Sequence, residues 1–303
     1  MTPQPAFKHR LRRLRAALAA AIAATIATFP SLEAIAIRLG RAAARRSHRL
    51  AGLYWFVQED LLARLRLGGE RFRPVHVHGC RLQLDITDAT GRMPYFYATP
   101  YEAAVTDAIV TALQPGDVFL DVGANIGYFT VLAAQVVGAG GLVIAFEPHG
   151  GARAMLETIV LRNGMTSRVE IVPLALADAA GEAVLFEDEG ISMHSTIEPA
   201  LSPMRHVAAL RPGFSVGLTT LDDWMASRPG LAQRVRCVKI DVEGAEARVL
   251  AGMPRLLAEP RLTIVCETTT GGAADRSLGT AGFHRERLEA GAESYGNFLY
   301  VRP

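Results

Sequence analysis

The hydrophobic pattern changes period along this chain, and the changes mark out its elements. From residue 117 onward, short apolar runs of strand length alternate with stretches of helical period. Candidate strands are 117–122, 142–147, 168–174, 235–240 and 261–266, and helices fall near 127–138, 150–163 and 245–257. Such alternation predicts an α/β fold, a doubly wound, mostly parallel, Rossmann-like sheet with helices on both faces. The runs 282–288 and 295–301 read as paired strands that finish the sheet. The alternation breaks once. Ala183–Phe186 and Phe214–Thr219 are strand-like and enclose the polar stretch Glu187–Pro212, which is too long for a routine connection. A β-extension that shapes substrate entry is expected there.

Upstream of this core the pattern differs. Residues 50–68 have a mostly helical period and end at Gly68-Gly69. Val75–Val77 and Arg81–Ile86 alternate around Gly79-Cys80 as a hairpin that would cap one side of a cleft. Pro100-Tyr101-Glu102 starts a helix through Leu113, and Pro115-Gly116-Asp117 turns into the first core strand. These features divide the chain into a helical extension, residues 1–70, and an α/β domain, residues 71–303.

Charge sharpens that division. Residues 1–50 hold ten Lys/Arg and one acid, Glu33, a charge of +9; with +2 for the whole chain, the remainder carries −7. Three readings compete for this basic, Ala-rich arm. Ranked first are Ala/Arg helices that pack on the catalytic domain or mediate self-association. Second is a surface-bound amphipathic helix whose arginines meet anionic lipid, a peripheral membrane contact. A signal peptide ranks last, because Ala16–Phe29 is dominated by Ala and broken by Pro30, Ser31 and Glu33. The same stretch falls short of the roughly 20 apolar residues that cross a bilayer. No aromatic residues interleave with the arginines, so nucleic acid is not an expected partner. Three scattered cysteines, Cys80, Cys237 and Cys266, form no disulfide framework and point to a reducing, cytoplasmic compartment.

The chemistry concentrates in Asp121-Val-Gly-Ala-Asn-Ile-Gly-Tyr-Phe-Thr130, which follows the apolar run Val118-Phe119-Leu120 and precedes a helix. Gly123 and Gly127 remove side chains where a ligand must lie against backbone, and the helix N-terminus offers unpaired N–H groups. Glu147 ends the next strand, where a carboxylate holds ribose hydroxyls in nucleotide-binding folds. The dinucleotide fingerprint G-x-G-x-x-G is broken by Asn125, so a pyrophosphate is disfavoured. A ligand with ribose and no phosphate fits instead, and S-adenosylmethionine answers that description.

A second motif, Val238-Lys-Ile-Asp-Val-Glu-Gly-Ala-Glu246, is followed by Val249-Leu-Ala-Gly252. With Asp121–Thr130 in the same order and spacing, together with Tyr101-Glu102, Leu221-Asp222-Asp223 and Asn297-Phe-Leu-Tyr300, it resembles the FkbM-type S-adenosylmethionine-dependent methyltransferase family. The resemblance covers roughly residues 95 to 302. It implies a class I methyltransferase fold and O-methylation of a hydroxyl on a small-molecule or glycan substrate. A nicotinamide-dependent oxidoreductase and a non-catalytic scaffold of the same fold are the alternatives.

Asp121, Glu147, Asp241 and Glu267 each fall at a strand's carboxyl end, so four carboxylates should line one rim. Asp121 is expected to orient the Gly123–Gly127 turn and the cofactor's amino group, and Glu147 to accept both ribose hydroxyls. Val172-Pro-Leu-Ala175 would close the third strand, with Ala175 in an apolar wall for adenine. Asp178 reads as part of an ordinary turn. Lys239 shares a face with Asp241 by period-two geometry, and a central-strand lysine calls for such a partner, with Glu243 and Glu267 as further candidates. For a general base, Asp241 lies at the fourth-strand tip, with His194 and His149 as the best-placed histidines. A metal bound by Asp241 and Glu267 is not expected, since Thr268-Thr269-Thr270 supplies no third acid or amide ligand.

Overall fold

The structure is a computed structural model and describes residues 5–29, 32–66, 70–188, 191–200, 210–289 and 294–303. It comprises two compact units, one built from the chain up to Val77 with Gln83–Tyr101, the other from His78–Leu82 with Glu102–Pro303.

The first unit is led by three helices, α1 (Pro5–Thr28), α2 (Glu33–Arg46) and α3 (His48–Arg66). Ala19, Ala23 and Ile26 recur at helical spacing on α1 and are buried with Tyr54, Val57, Leu61 and Leu62 of α3. Strands β1 (Phe72–Val77) and β2 (Cys80–Asp85) form a hairpin. Its turn is His78-Gly79, where both residues have positive φ (48° and 77°), as a tight two-residue turn requires; Cys80 already belongs to the second strand. Helix α4 (Ala89–Arg92) runs into a π-helical turn, Met93–Tyr97. Arg41 donates to the carbonyls of Tyr95 and Phe96, and the Tyr54 hydroxyl donates to the same Phe96 carbonyl at 2.8 Å. Glu33, buried at the start of α2, accepts from Arg73 at 2.9 and 2.8 Å and from the Tyr95 hydroxyl at 2.6 Å. The inward side of α2 is therefore tied down by charge-assisted bonds as well as by the buried Ile37.

The second unit alternates strand and helix: α5 (Ala103–Ala112), β3 (Val118–Val122), α6 (Tyr128–Val137), β4 (Leu142–Phe146), α7 (Gly150–Arg162) and β5 (Val169–Val172). After the excursion β6 (Ala175–Leu176), β7 (Gly181–Asp188), β8 (Ile191–Thr196) and β9 (Leu210–Thr219), the chain resumes with α8 (Leu221–Ala226), β10 (Val235–Ile240), α9 (Glu246–Ala251), α10 (Pro254–Leu257), β11 (Thr263–Thr269), α11 (Ala273–Thr280), β12 (His284–Arg287) and β13 (Tyr295–Val301). Among the described residues the main sheet has seven strands in the order β12-β13-β11-β10-β3-β4-β5, and of these β13 alone runs against the rest. The chain leaves β3 for β4 on one side and later returns to place β10 on the other. A doubly wound sheet binds ligands outside the carboxyl ends of its strands at this switch point.

Three expectations are corrected here. The helix placed at 245–257 is two helices, α9 and α10, because Pro254 cannot continue a helix and Gly252 packs against the Ala177 carbonyl, which a Cβ would approach to 2.0 Å. Strand β11 runs on to Thr269, so Glu267 lies inside it, opposite Asn297 of β13. The third strand stops at Val172, and Ala175 belongs to β6, which pairs with β9 in a separate four-stranded sheet of order β6-β9-β7-β8. The excursion thus is a β-extension, with residues 201–209 outside the described residues.

The Glu33 cluster generates a stability prediction. Glu33→Ala removes the carboxylate paired with Arg73, leaving it the Glu70 and Phe72 carbonyls, and removes the Tyr95 acceptor, so it should destabilise the protein by about 3 kcal/mol. Denaturant titration would check this; a loss below about 0.5 kcal/mol, the scale of an exposed ion pair, would show that solvent already screens the cluster.

Candidate active site

Beyond Val122 the chain turns through Gly123–Gly127 into α6. Gly123, Asn125 and Gly127 all have positive φ, at 80°, 50° and 93°. The amides of Gly123 and Ala124 both donate to the Phe146 carbonyl at 3.1 Å, which fastens the turn to the end of β4. The two glycines, expected to admit a ligand, each have an internal neighbour. A Cβ at Gly123 would sit 1.9 Å from the Asp241 carbonyl oxygen, and one at Gly127 would sit 2.2 Å from Leu156 Cδ1. Asn125 is also explained by its backbone. Asparagine tolerates the left-handed conformation that the turn needs there.

Glu147 holds this turn. Its Oε2 accepts from the Asn125 amide at 2.7 Å, and its Oε1 accepts from the His149 amide at 2.8 Å. The side chain is nearly enclosed, at 5 % exposure. Burial pushes its carboxyl up to about 7, against the pull of those two amides. One carboxylate therefore positions both the β3–α6 and β4–α7 loops, and each oxygen keeps acceptor capacity for a second donor. His149 is removed as a base candidate. Its Nδ1 accepts from the Ala152 amide at 3.0 Å, capping α7, so its Nε2 carries the hydrogen and meets Glu187 at 2.9 Å. The ring also lies against Phe214 at 5.6 Å.

Asp121, at 1 % exposure, accepts from the Thr130 hydroxyl at 2.6 Å through Oδ2, joining β3 to α6. Its Oδ1 and the Asn125 Oδ1 are buried without a hydrogen-bond partner among the described residues. Lys239 pairs in register with Asp121 across β10 and β3. Its Nζ donates to Asp241 Oδ2 at 2.9 Å and lies 4.9 Å from the Phe129 ring centroid. Burial alone would lower the Lys239 pKa, but Asp241 and Asp121 outweigh it and hold the ammonium above its ordinary value. Burial raises Asp121 in turn, with Lys239 and Thr130 opposing. The same-face pair expected for Lys239 is thus present.

The rim holds a third acid, Glu243, which the sequence offers only as another partner for Lys239. Carboxylate oxygens of Asp241, Glu243 and Glu267 lie within 4.8 Å of one another, so the premise that no third acidic ligand exists is corrected. Glu243 reaches the rim through a left-handed turn (φ 56°), held where Glu246 Oε1 accepts from the amides of Gly244 and Val242 at 2.9 and 3.4 Å. No spacing rule flags such a turn. Burial first, then the Asp241 charge, push Glu267 up to about 9, so this cluster holds a proton at neutral pH. A divalent cation could take the place of that proton.

The remaining candidates separate from the rim. Ala175, expected in an adenine wall, is packed with Leu185 and Val216 of the four-stranded sheet instead. His194 lies on β8, and its side chain is outside the described residues. Asp178 accepts from Arg248 at 2.8 Å, and Arg248 also donates to Glu198 at 2.8 Å, which ties α9 to the β-extension. Asp121, Gly123, Asn125, Gly127, Glu147 and Asp241 gather around the carboxyl ends of β3, β4 and β10.

Residues 121–295 match the sequence model described as the Methyltransferase FkbM domain. A 31-O-demethyl-FK506 methyltransferase FkbM from Streptomyces tacrolimicus is 32% identical over 163 residues, which cover 46% of this chain and 61% of that protein. The chain therefore spans about three fifths of that relative's length. Among solved structures, methyltransferase FkbM from Methylobacillus flagellatus aligns with a TM-score of 0.41 at 16% identity, over 62% of this chain and 44% of that one. Aeropyrum pernix fibrillarin, solved with natively bound S-adenosyl-L-methionine, aligns with a TM-score of 0.42 at 12% identity, over 77% of this chain and 85% of that one.

The rim predicts a pH-dependent stability. Below about 4.5 the folded and unfolded chains both hold the Glu267 proton; between there and about 9 only the folded chain does. Stability should therefore fall as pH rises through that window. Glu267→Gln, which cannot ionise, should flatten the decline in melting temperature. Parallel curves for the two proteins would place the proton elsewhere.

Proposed function

The chain belongs to the FkbM methyltransferase domain family, and from that premise we propose that it is an S-adenosylmethionine-dependent O-methyltransferase acting on a hydroxyl of a glycan or secondary metabolite. The observation that carries this reading is the set of unsatisfied acceptors at the switch point. Asp121 Oδ1 and Asn125 Oδ1 are buried without partners among the described residues, and both Glu147 oxygens can accept again. A ligand with an ammonium and ribose hydroxyls supplies the missing donors. Glu147 would hold the ribose, and Asp121 and Asn125 the amino-acid end beside the Gly123–Gly127 turn. When bound, the cofactor supplies a methyl group on cationic sulfur, with a good leaving group.

The chain's own work is then to place an acceptor hydroxyl and to take its proton. Asp241 suits that role. Its side chain is 26% exposed, whereas its anchor Lys239 is 4% exposed. The ammonium fixes the carboxylate's orientation, so the oxygen arrives in position rather than by rotation. The hydroxyl target follows the Streptomyces relative, whose name specifies a 31-O position. The β-extension, joined to the site loops through His149–Glu187 and to α9 through Arg248, is the element we assign to acceptor selection. We take the reaction to be metal-independent, with Asp241 already held by the Lys239 ammonium at 2.9 Å.

Two variants test the reading. Glu147→Ala should weaken S-adenosylmethionine binding by at least ~1.5–3 kcal/mol in calorimetric titration. Unchanged affinity in a folded variant would refute the cofactor assignment. Asp241→Asn should leave that affinity within about threefold and lower turnover by ~10²–10⁴, the range for losing a general base. Turnover is to be read with and without EDTA. Loss on chelation, restored by Mg²⁺, would recast Asp241, Glu243 and Glu267 as metal ligands. Near-normal turnover in the Asn variant would move the base to His194.

A further inference from the structure

Helix α2 has two unlike sides. Glu33, Ile37 and Arg41 face inward and are engaged with Arg73, the apolar core and the carbonyls of the π-helical turn. The outward side carries Ala34, Ile35, Arg38, Leu39, Ala42, Arg45 and Arg46, all exposed, without a single acid. An ordinary solvent face mixes both signs of charge and leaves out large aliphatic residues. This one interleaves arginines with Ile35 and Leu39 at helical spacing.

Helix α1 continues the pattern. No charged residue occurs from Ala16 to Thr28, and its outward row is Leu14, Leu18, Ala21 and Thr25, extended by Phe29. Leu14, Leu18, Phe29, Ile35 and Leu39 are between 52 and 66% exposed. Thr25 and Thr28 donate their hydroxyls to the carbonyls of Ala21 and Ala24 at 3.0 and 2.8 Å, so both are satisfied within the helix. Between the two helices runs an open groove lined by Ala21, Ile22, Thr25, Ile26, Leu32 and Ala36.

We propose that this outer face of α1 and α2 docks on an anionic lipid bilayer, lying in its surface. Charge complementarity selects the occupant. Residues 1–50 carry +9 and the rest of the chain −7, so a second arm would be repelled where an anionic headgroup layer is attracted. The exposed aliphatic residues and the groove would enter the acyl boundary while Arg13, Arg38, Arg45 and Arg46 extend to the phosphates. The arrangement lies on the membrane rather than through it, since among the described residues no helix is long and apolar enough to span one. This docking is independent of the methyl-transfer reading.

The test is flotation of the full-length protein with phosphatidylcholine vesicles, with and without phosphatidylserine, at low and high salt. Binding to the anionic vesicles, weakened by salt and absent from the neutral ones, is expected. Each cation near such a surface contributes about fivefold, so Arg38→Gln/Arg45→Gln/Arg46→Gln together should lower partitioning by about 10²-fold. Ile35→Ser/Leu39→Ser should lower it by at least tenfold. These positions are exposed, so both variants should keep the wild-type melting temperature, which serves as the folding control. Absence of vesicle binding, or binding indifferent to both variants, would overturn the proposal. Sedimentation velocity run in parallel reads the rival occupant: an oligomer dissolved by Ile35→Ser/Leu39→Ser, without vesicle binding, would assign the face to a second copy of the chain.

Discussion

A buried ammonium on the central strand constrains much of the second unit. Lys239 is 3% exposed on β10, and a charge in that setting is tolerable only with partners in fixed positions. Asp241 supplies one at 2.9 Å, Asp121 a second across the β3–β10 register, and the Phe129 ring a third. The opposite faces of these strands present Val118, Leu120, Val122, Val238 and Ile240 to the main core. A one-residue slip of β10 against β3 would turn the ammonium into that apolar cluster and Val238 and Ile240 out of it. The ion pair thereby makes one register far better than its neighbours. Because that register brings Asp121 beside Asp241, the same constraint assembles the rim of the site.

Glu147 does for the loops what Lys239 does for the strands. It accepts one amide from each of the turns that follow β3 and β4, so neither turn is positioned without the other. His149, anchored by its amide to Glu147 and by Nδ1 to α7, carries the linkage outward to Glu187 on β7. Arg248 makes a second link, from α9 to Asp178 and Glu198. Two polar bridges thus join the β-extension to the ends of the main sheet. An extension held this way can differ in its own loops while the rim beneath keeps its geometry.

Much of this was legible in the sequence, because parallel strands covered on both faces appear as unbroken apolar runs bounded by turn residues. Strands 118–122, 142–146, 169–172 and 235–240 fall within one or two residues of their expected bounds. What sequence reasoning missed has specific causes. Polar Glu267, Thr268 and Thr269 look like a loop yet pair with β13. Ala175 sits close after the third strand but enters another sheet, a matter of tertiary pairing with β9. Asn125 reads as a lost glycine until its φ shows a left-handed residue that need not be glycine. His149 looks like a base until both ring nitrogens prove to be engaged. Glu243 joins Asp241 and Glu267 through backbone shape alone. Patterns of period two and 3.6 are visible along a chain; partners brought together by turns are not.

The arginines of α2 show how far the 3.6-residue period reaches beyond secondary structure. Arg41 falls on the inward phase with Glu33 and Ile37, and it is spent on the carbonyls that an irregular turn leaves unpaired. Arg38, Arg45 and Arg46 fall on the outward phase, among Ile35 and Leu39. Composition counts these four residues alike, and so does net charge. Their helical phase separates a residue that stabilises the first unit from residues that shape its outer field. The charge of α2 is therefore no diffuse property of that helix. It is sorted by the helix into one part consumed internally and another displayed with exposed aliphatic neighbours, and only the displayed part can choose a partner.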